Sequence, residues 1–302
     1  MKQSILIFSA ILLGVLLPYG YLITFLIKYS LIVMLFFAFL AIKFSFKIFS
    51  VKHFIIVTAN LLLPVLFYFL ALPFGKNLAL TAFVISIPPT AAAAPVLAQF
   101  MRTDVAFVTA AVLITNPAIA FFIPTVLPWL MPVTTPILFL EVLIPVMTVV
   151  GVPLILSALI KKISISATQK ILRFKIVAFY LFLFNVWLAC GNATHFLRNE
   201  GSDSVALIPQ VFLLTILICV LSFQLGQRMV KKEIALAGSL SLGRKNTMFG
   251  LWLALTFVNP VVALGPICYI IMQNIYNSYQ LMMVEKKQRT LLEPATQSTS
   301  GD

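Results

Sequence analysis

Long stretches of this chain carry no charge, and their length dictates the solvent. Residues 31–42 read "LIVMLFFAFLAI" and residues 205–221 read "VALIPQVFLLTILICVL". Neither alternates apolar with polar positions, as a membrane β-barrel requires. A lipid-facing segment must satisfy its backbone internally, so continuous apolar runs of this kind are read as membrane helices. Composition agrees: 62% of residues are hydrophobic and 10% are charged, against roughly 25% charged in soluble domains. The mean hydropathy is +1.09.

The net charge of +13 is a weak argument for nucleic acid. The basic residues lie between apolar runs, as the positive-inside rule places them. No basic face or aromatic-basic motif accompanies them. Cys190, Cys219 and Cys268 sit in apolar segments without CxxC spacing, so they are read as small buried hydrophobes. The first residues, "MKQSILIFSAILLGVLLPYG", look like a signal peptide. No cleavage site and polar mature start follow, so they are read as a first span.

Breaks at charged or turn-rich points divide the chain into about ten segments: 4–20, 29–47, 54–72, 77–101, 104–131, 134–160, 171–194, 204–228, 233–258 and 260–284. The remainder, "KKQRTLLEPATQSTSGD", is expected to be a disordered cytoplasmic tail over 286–302. One side of the membrane would hold Lys2, Lys43, Lys47, Lys52, Arg102, the 161–175 cluster, Arg228, Lys231, Lys232 and the last basic residues. The other would hold only Lys28, Lys76 and Arg198. That asymmetry predicts an even number of spans with both termini cytoplasmic in a bacterial inner membrane.

The chain also reads as doubled. Five segments (1–132) precede the "MPVTT" connection and five (133–285) follow it. An odd number per half inverts the second against the first. The fourth and ninth segments correspond, and both are interrupted. Pro88 and Pro89 remove two helical donors in the fourth, just before Thr90. In the ninth, "SLGRKN" places Gly243, Arg244, Lys245 and Asn246 in mid-span. Asp104 is a candidate N-cap for the fifth helix. Paired interruptions point to a transporter binding site, because they leave backbone groups free to hold ions or substrate.

These segments resemble the bile acid:sodium symporter family and its bacterial relatives. The resemblance spans nearly the whole chain and is carried by "PPTAAAAPVLAQFMRTDVAF", "LGRKNTMFGLWLAL" and "ALGPICYIIMQNIYNSYQL". It implies ten helices in two inverted repeats. Segments 1, 2, 6 and 7 would form a panel, and segments 3–5 and 8–10 a core in which the broken helices cross. Substrate would bind between panel and core, with access alternating as one moves against the other. The sequence departs from the family at its sodium ligands. A Ser-Asn pair is replaced by Ala94 and Pro95, hydroxyls of the fifth helix by Val108 and Val112, and a glutamate and a glutamine by Ser241 and Lys245. Sodium needs oxygen ligands, so both family sodium sites are expected to be absent. Asn246 and the Gln273-Asn274 amides are kept.

A lysine in mid-bilayer is expensive and usually functional. The Lys245 ammonium is expected to stand where sodium binds in the family and to exchange a proton, giving proton coupling or uncoupled exchange. The blander alternative is a break near the interface with both cations snorkelling. Arg244 suits an anionic substrate, through two parallel bonds to a carboxylate, or else anchors the helix at the cytoplasmic face. For Glu141 two readings stand, one facing the cavity and one merely solvated at the outer interface. Asn116, beside Pro117, could line the core or relieve the proline kink. Asn60 and Asn185 read as bonds between helices. His53 and His195 are too isolated for a metal site.

No GxSxG, HExxH or P-loop appears, and the "SLSLG" serines lack a nearby histidine base, so no enzyme is expected. The leading expectation is an all-α polytopic secondary transporter of a small organic anion, sodium-independent and without cofactor or metal. It would be a monomer or weak homodimer whose partners are substrate and lipid. The alternatives are a sodium-coupled symporter with altered ligands, a metalloid exporter, which would want a pore-lining thiolate, or a non-transporting membrane sensor.

Overall fold

The computed structural model of the chain describes residues 2–42, 50–131, 139–199 and 206–297. Every regular element among them is helical. Five helices are long and apolar enough to cross a membrane. They are α3 (Val51–Ala71), α6 (Val105–Leu130), α7 (Phe139–Ile163), α9 (Ile176–Asn199) and α10 (Ile208–Arg228). Four more, α1 (Lys2–Leu16), α2 (Leu26–Ala41), α4 (Lys76–Ser86) and α12 (Thr247–Phe257), are apolar but shorter. Large apolar side chains such as Phe54, Leu213 and Trp129 are exposed, the inverse of a soluble surface and what lipid accommodates. The chain is therefore a helical membrane protein.

The fourth predicted segment is two helices, α4 and α5 (Ala94–Phe100), separated at residues 87–93. The ninth is likewise two, α11 (Ala235–Gly243) and α12 (Thr247–Phe257), separated at 244–246. Each second half turns directly into a long helix with an Asx cap. Asp104 Oδ1 accepts from the Phe107 N–H at 2.9 Å ahead of α6, and Asn259 Oδ1 accepts from Val262 N–H at 2.9 Å at the start of α13 (Pro260–Gln297). Such caps satisfy donors that a helix start leaves orphaned.

Helix α9 packs against α1 and α2, and α2 against α7; α3, α4, α6, α10, α11, α12 and α13 pack among themselves, and the two sets meet chiefly where α6 lies against α7 and α13 against α9. Long-range bonds fasten helix ends. Lys161 Nζ on α7 donates to the Phe39 and Ile42 carbonyls at 2.5 Å each, filling acceptors at the end of α2. His53 Nδ1 accepts from the Ser50 N–H at 2.9 Å, which leaves Nε2 to donate to the Phe107 carbonyl of α6 at 3.0 Å.

Two boundaries differ from expectation. The seventh segment, expected over 171–194, is α9 from Ile176, preceded by a separate helix α8 (Ile165–Leu172) with no buried residue. Ser164 Oγ accepts from the Ala167 N–H at 3.1 Å and restarts the helix there. The tenth segment, expected to end near 284, continues as helix. Helix α13 runs from Pro260 to Gln297, because Glu285, Lys286, Lys287, Gln288 and Arg289 are good helix formers with no breaker among them. Most of the "MPVTT" connection, together with Lys43 and Lys47, lies outside the described residues.

Candidate functional site

The two interruptions meet. Thr90 and Lys245 form an isolated antiparallel bridge. The Ala91 N–H donates to the Arg244 carbonyl and the Asn246 N–H to the Pro89 carbonyl, each at 2.8 Å. The remaining backbone groups at the bridge are met by side chains from the two long helices that follow the breaks. Thr90 N–H donates to Thr115 Oγ1 at 3.2 Å, and Asn116 Nδ2 on α6 reaches the Thr90 carbonyl at 3.4 Å. Lys245 N–H donates to Gln273 Oε1 on α13 at 3.1 Å. The Thr90 hydroxyl donates to the Ser241 carbonyl at 2.6 Å, and the Tyr269 hydroxyl to the Gly243 carbonyl at 2.9 Å. The expectation that the breaks hold backbone groups free for a ligand is therefore corrected. Buried amides and carbonyls need partners, and here the two breaks largely partner each other.

In an extended segment, successive side chains leave on opposite faces. Arg244 and Lys245 separate in this way. Lys245 is 2% exposed, and its Nζ donates to Asn60 Oδ1 on α3 at 2.6 Å. Arg244 is partly buried, and one of its terminal nitrogens donates to Asn274 Oδ1 at 2.8 Å. Its Nε is buried without a hydrogen-bond partner among the described residues.

Arg244 borders a cavity of about 190 Å³. Leu31, Leu35 and Ala38 of α2 and Phe182 of α9 line one part of it; Ala92, Arg244, Lys245, Asn246, Thr247, Gln273 and Asn274 line the rest. Ile270 and Asn274 also border a second cavity of about 440 Å³, walled by Ile7 and Phe8 of α1, Leu97 and Phe100 of α5, and Asn277. None of the three cysteines lines either cavity.

The sequence-selected residues divide. Thr90, Arg244, Lys245, Asn246, Gln273 and Asn274 are brought together around the bridge. Asn246 Oδ1 also caps α12, accepting from Phe249 N–H at 3.3 Å. Asn116 combines both of its readings, since Nδ2 also donates to the Val112 carbonyl at 2.8 Å. Glu141 does not join them. It is exposed in the first turn of α7, where an acid complements the helix dipole. Of the positions matched to sodium ligands, Ala94, Val108 and Val112 are fully buried and apolar, Pro95 is partly buried, and Ser241 Oγ donates to its own helix at Ala237 O, 2.8 Å away.

Two functional candidates were missed. Asn60 was read as an ordinary interhelical amide and is instead the partner of the buried ammonium. Asn277 is 5% exposed, lines the 440 Å³ cavity, and has no partner for either amide atom among the described residues. The signal was available: Gln273, Asn277 and Gln280 recur at i, i+4 and i+7, one face of α13, and all are buried.

These features define a class: a helical membrane protein organised around two broken helices bonded to each other at their breaks. No protein-family model matches the chain, and no curated protein matches it.

Proposed function

We propose that this chain is a secondary transporter of a small organic anion, working by alternating access without sodium, with the Lys245 ammonium in place of a bound cation. The observation that carries the reading is the opposed pair at the junction of the breaks. Both residues border the cavity; the Lys245 Nζ is turned inward to Asn60, and the Arg244 guanidinium reaches Asn274. A mid-membrane cation is expensive to maintain and marks function by default. An arginine with an unpartnered Nε beside the amide of Asn274 is equipped to take a carboxylate.

The inverted-repeat reading is supported by the way Thr115 and Asn116 on α6 serve one break while Gln273 on α13 serves the other. The two packing groups correspond to a panel (α1, α2, α7, α9) and a core, with the cavity between them. Ten spans follow if each broken pair counts once and α8 lies at the membrane surface. The distribution of basic residues then places both termini in the cytoplasm of a bacterial inner membrane. The likeness to bile acid:sodium symporters belongs to this same reading.

The test is uptake of labelled mono- and dicarboxylates by proteoliposomes holding the purified protein. Saturable uptake is expected with sodium or with choline outside. Arg244→Gln should reduce it at least about tenfold, since a lost charge-assisted bond is worth about 1.5–3 kcal/mol, while Arg244→Lys should retain part of it. Failure to take up any organic anion would overturn the transporter reading. A strict sodium requirement would overturn the role given to Lys245.

A further inference from the structure

A third cavity, unconnected to the transport reading, gathers positive charge at one end of the helices. Arg228 at the end of α10, Lys232 in the turn before α11, and Lys286 on α13 line a hollow of about 1100 Å³. Among the described residues no acidic side chain lines it, although Glu233 and Glu285 are adjacent in sequence. Tyr276, Tyr279, Leu236 and Met283 supply its less polar wall.

Gln280 adds a second, independent feature. It lines the hollow and is 6% exposed. Its Nε2 donates to Ser239 Oγ at 2.9 Å, but its Oε1 is buried with no partner among the described residues. A buried acceptor of this kind wants a donor. A merely solvated basic face offers neither a concavity nor a buried acceptor. The hollow sits where the apolar run of α10 ends, which is the depth of lipid headgroups.

We propose that this hollow is a binding site for an anionic phospholipid whose headgroup carries a hydroxyl. The phosphate sits among Arg228, Lys232 and Lys286. The headgroup hydroxyl donates to Gln280 Oε1. The acyl chains leave along Leu236 and Met283. Basic hollows between membrane helices bind anionic headgroups in this manner.

The test titrates the purified full-length protein in neutral detergent with phosphatidylglycerol, phosphatidic acid, phosphatidylcholine or inorganic phosphate, reading bound lipid by native mass spectrometry and thermal stability. Phosphatidylglycerol should bind most tightly. Removing one cation should weaken it about fivefold, and Arg228→Gln, Lys232→Gln and Lys286→Gln together about 100-fold. The same change in charge at Lys170→Gln, Arg173→Gln and Lys175→Gln should alter binding less than about twofold. Gln280→Met should abolish the preference for phosphatidylglycerol over phosphatidic acid. The single variant Arg228→Gln serves if the triple variant does not fold. Equal loss in the control variant would overturn the proposal, as would inorganic phosphate matching the lipid or no preference over phosphatidylcholine.

Discussion

Replacing Asn60 by leucine tests whether the buried ammonium of Lys245 depends on a single acceptor. The amine makes one hydrogen bond among the described residues, to Asn60 Oδ1 at 2.6 Å, and the lysine is 2% exposed. A hydrogen bond to a charged group contributes about 1.5–3 kcal/mol, and leaving a buried charge unpaired adds its desolvation. Asn60→Leu should therefore destabilise the protein by about 2–3 kcal/mol. Lys245→Met removes the charge and its desolvation together, so it should change stability by less than about 1 kcal/mol. In the double variant neither the buried charge nor its amide partner remains, and most of the loss should be recovered. The coupling energy expected from this cycle is about 2 kcal/mol. Neutral hydrogen bonds between membrane helices couple by only about 0.6 kcal/mol on average, so the magnitude separates a charge from an ordinary amide contact. Reversible unfolding in mixed micelles across the four variants measures it. A coupling at or below the neutral value would refute the picture of a buried cation held by Asn60.

Other consequences follow from the same geometry. A Cβ at Gly250 would lie 2.8 Å from Pro88 Cγ and 3.0 Å from the Val84 carbonyl, so Gly250→Ala should cost about 1–3 kcal/mol by forcing α12 away from the end of α4, read by the same unfolding assay. Asn277→Leu replaces two buried amide atoms that have no partner among the described residues; it should stabilise the fold by about 1 kcal/mol or more and still lower uptake several-fold, if the 440 Å³ cavity that Asn277 lines belongs to the substrate path. Replacing external sodium by choline should leave uptake by proteoliposomes unchanged, whereas an imposed pH gradient should alter its rate if Lys245 exchanges protons; the reverse pattern would contradict the assignment.

Much of the fold was legible because it depends on local chemistry. Paired prolines at 88 and 89 cannot continue a helix, and "GRKN" places glycine and two cations where an apolar helix would otherwise run. Both interruptions appear where those residues stand. Asp104 caps α6 for the same local reason. The misreadings concern what sequence distance hides. Glu141 was open to two readings, and its exposure in the first turn of α7 accords with the solvated one. Residues 285–297, polar in composition, are also good helix formers and extend α13. Asn60 looked ordinary because its partner is 185 residues away along the chain.

The sequence by itself determined the solvent, the helical class and the places where two helices must stop. Those follow from run length, charge content and the missing donors of proline, which act within a few residues. Only the tertiary structure decided which way each polar side chain turns. The rotation and depth of an apolar helix are set by its neighbours rather than by its own residues. So the bridge between Thr90 and Lys245, the division of Arg244 from Lys245, and the pairing of Lys245 with Asn60 exist only once α3, α6 and α13 have packed around the breaks.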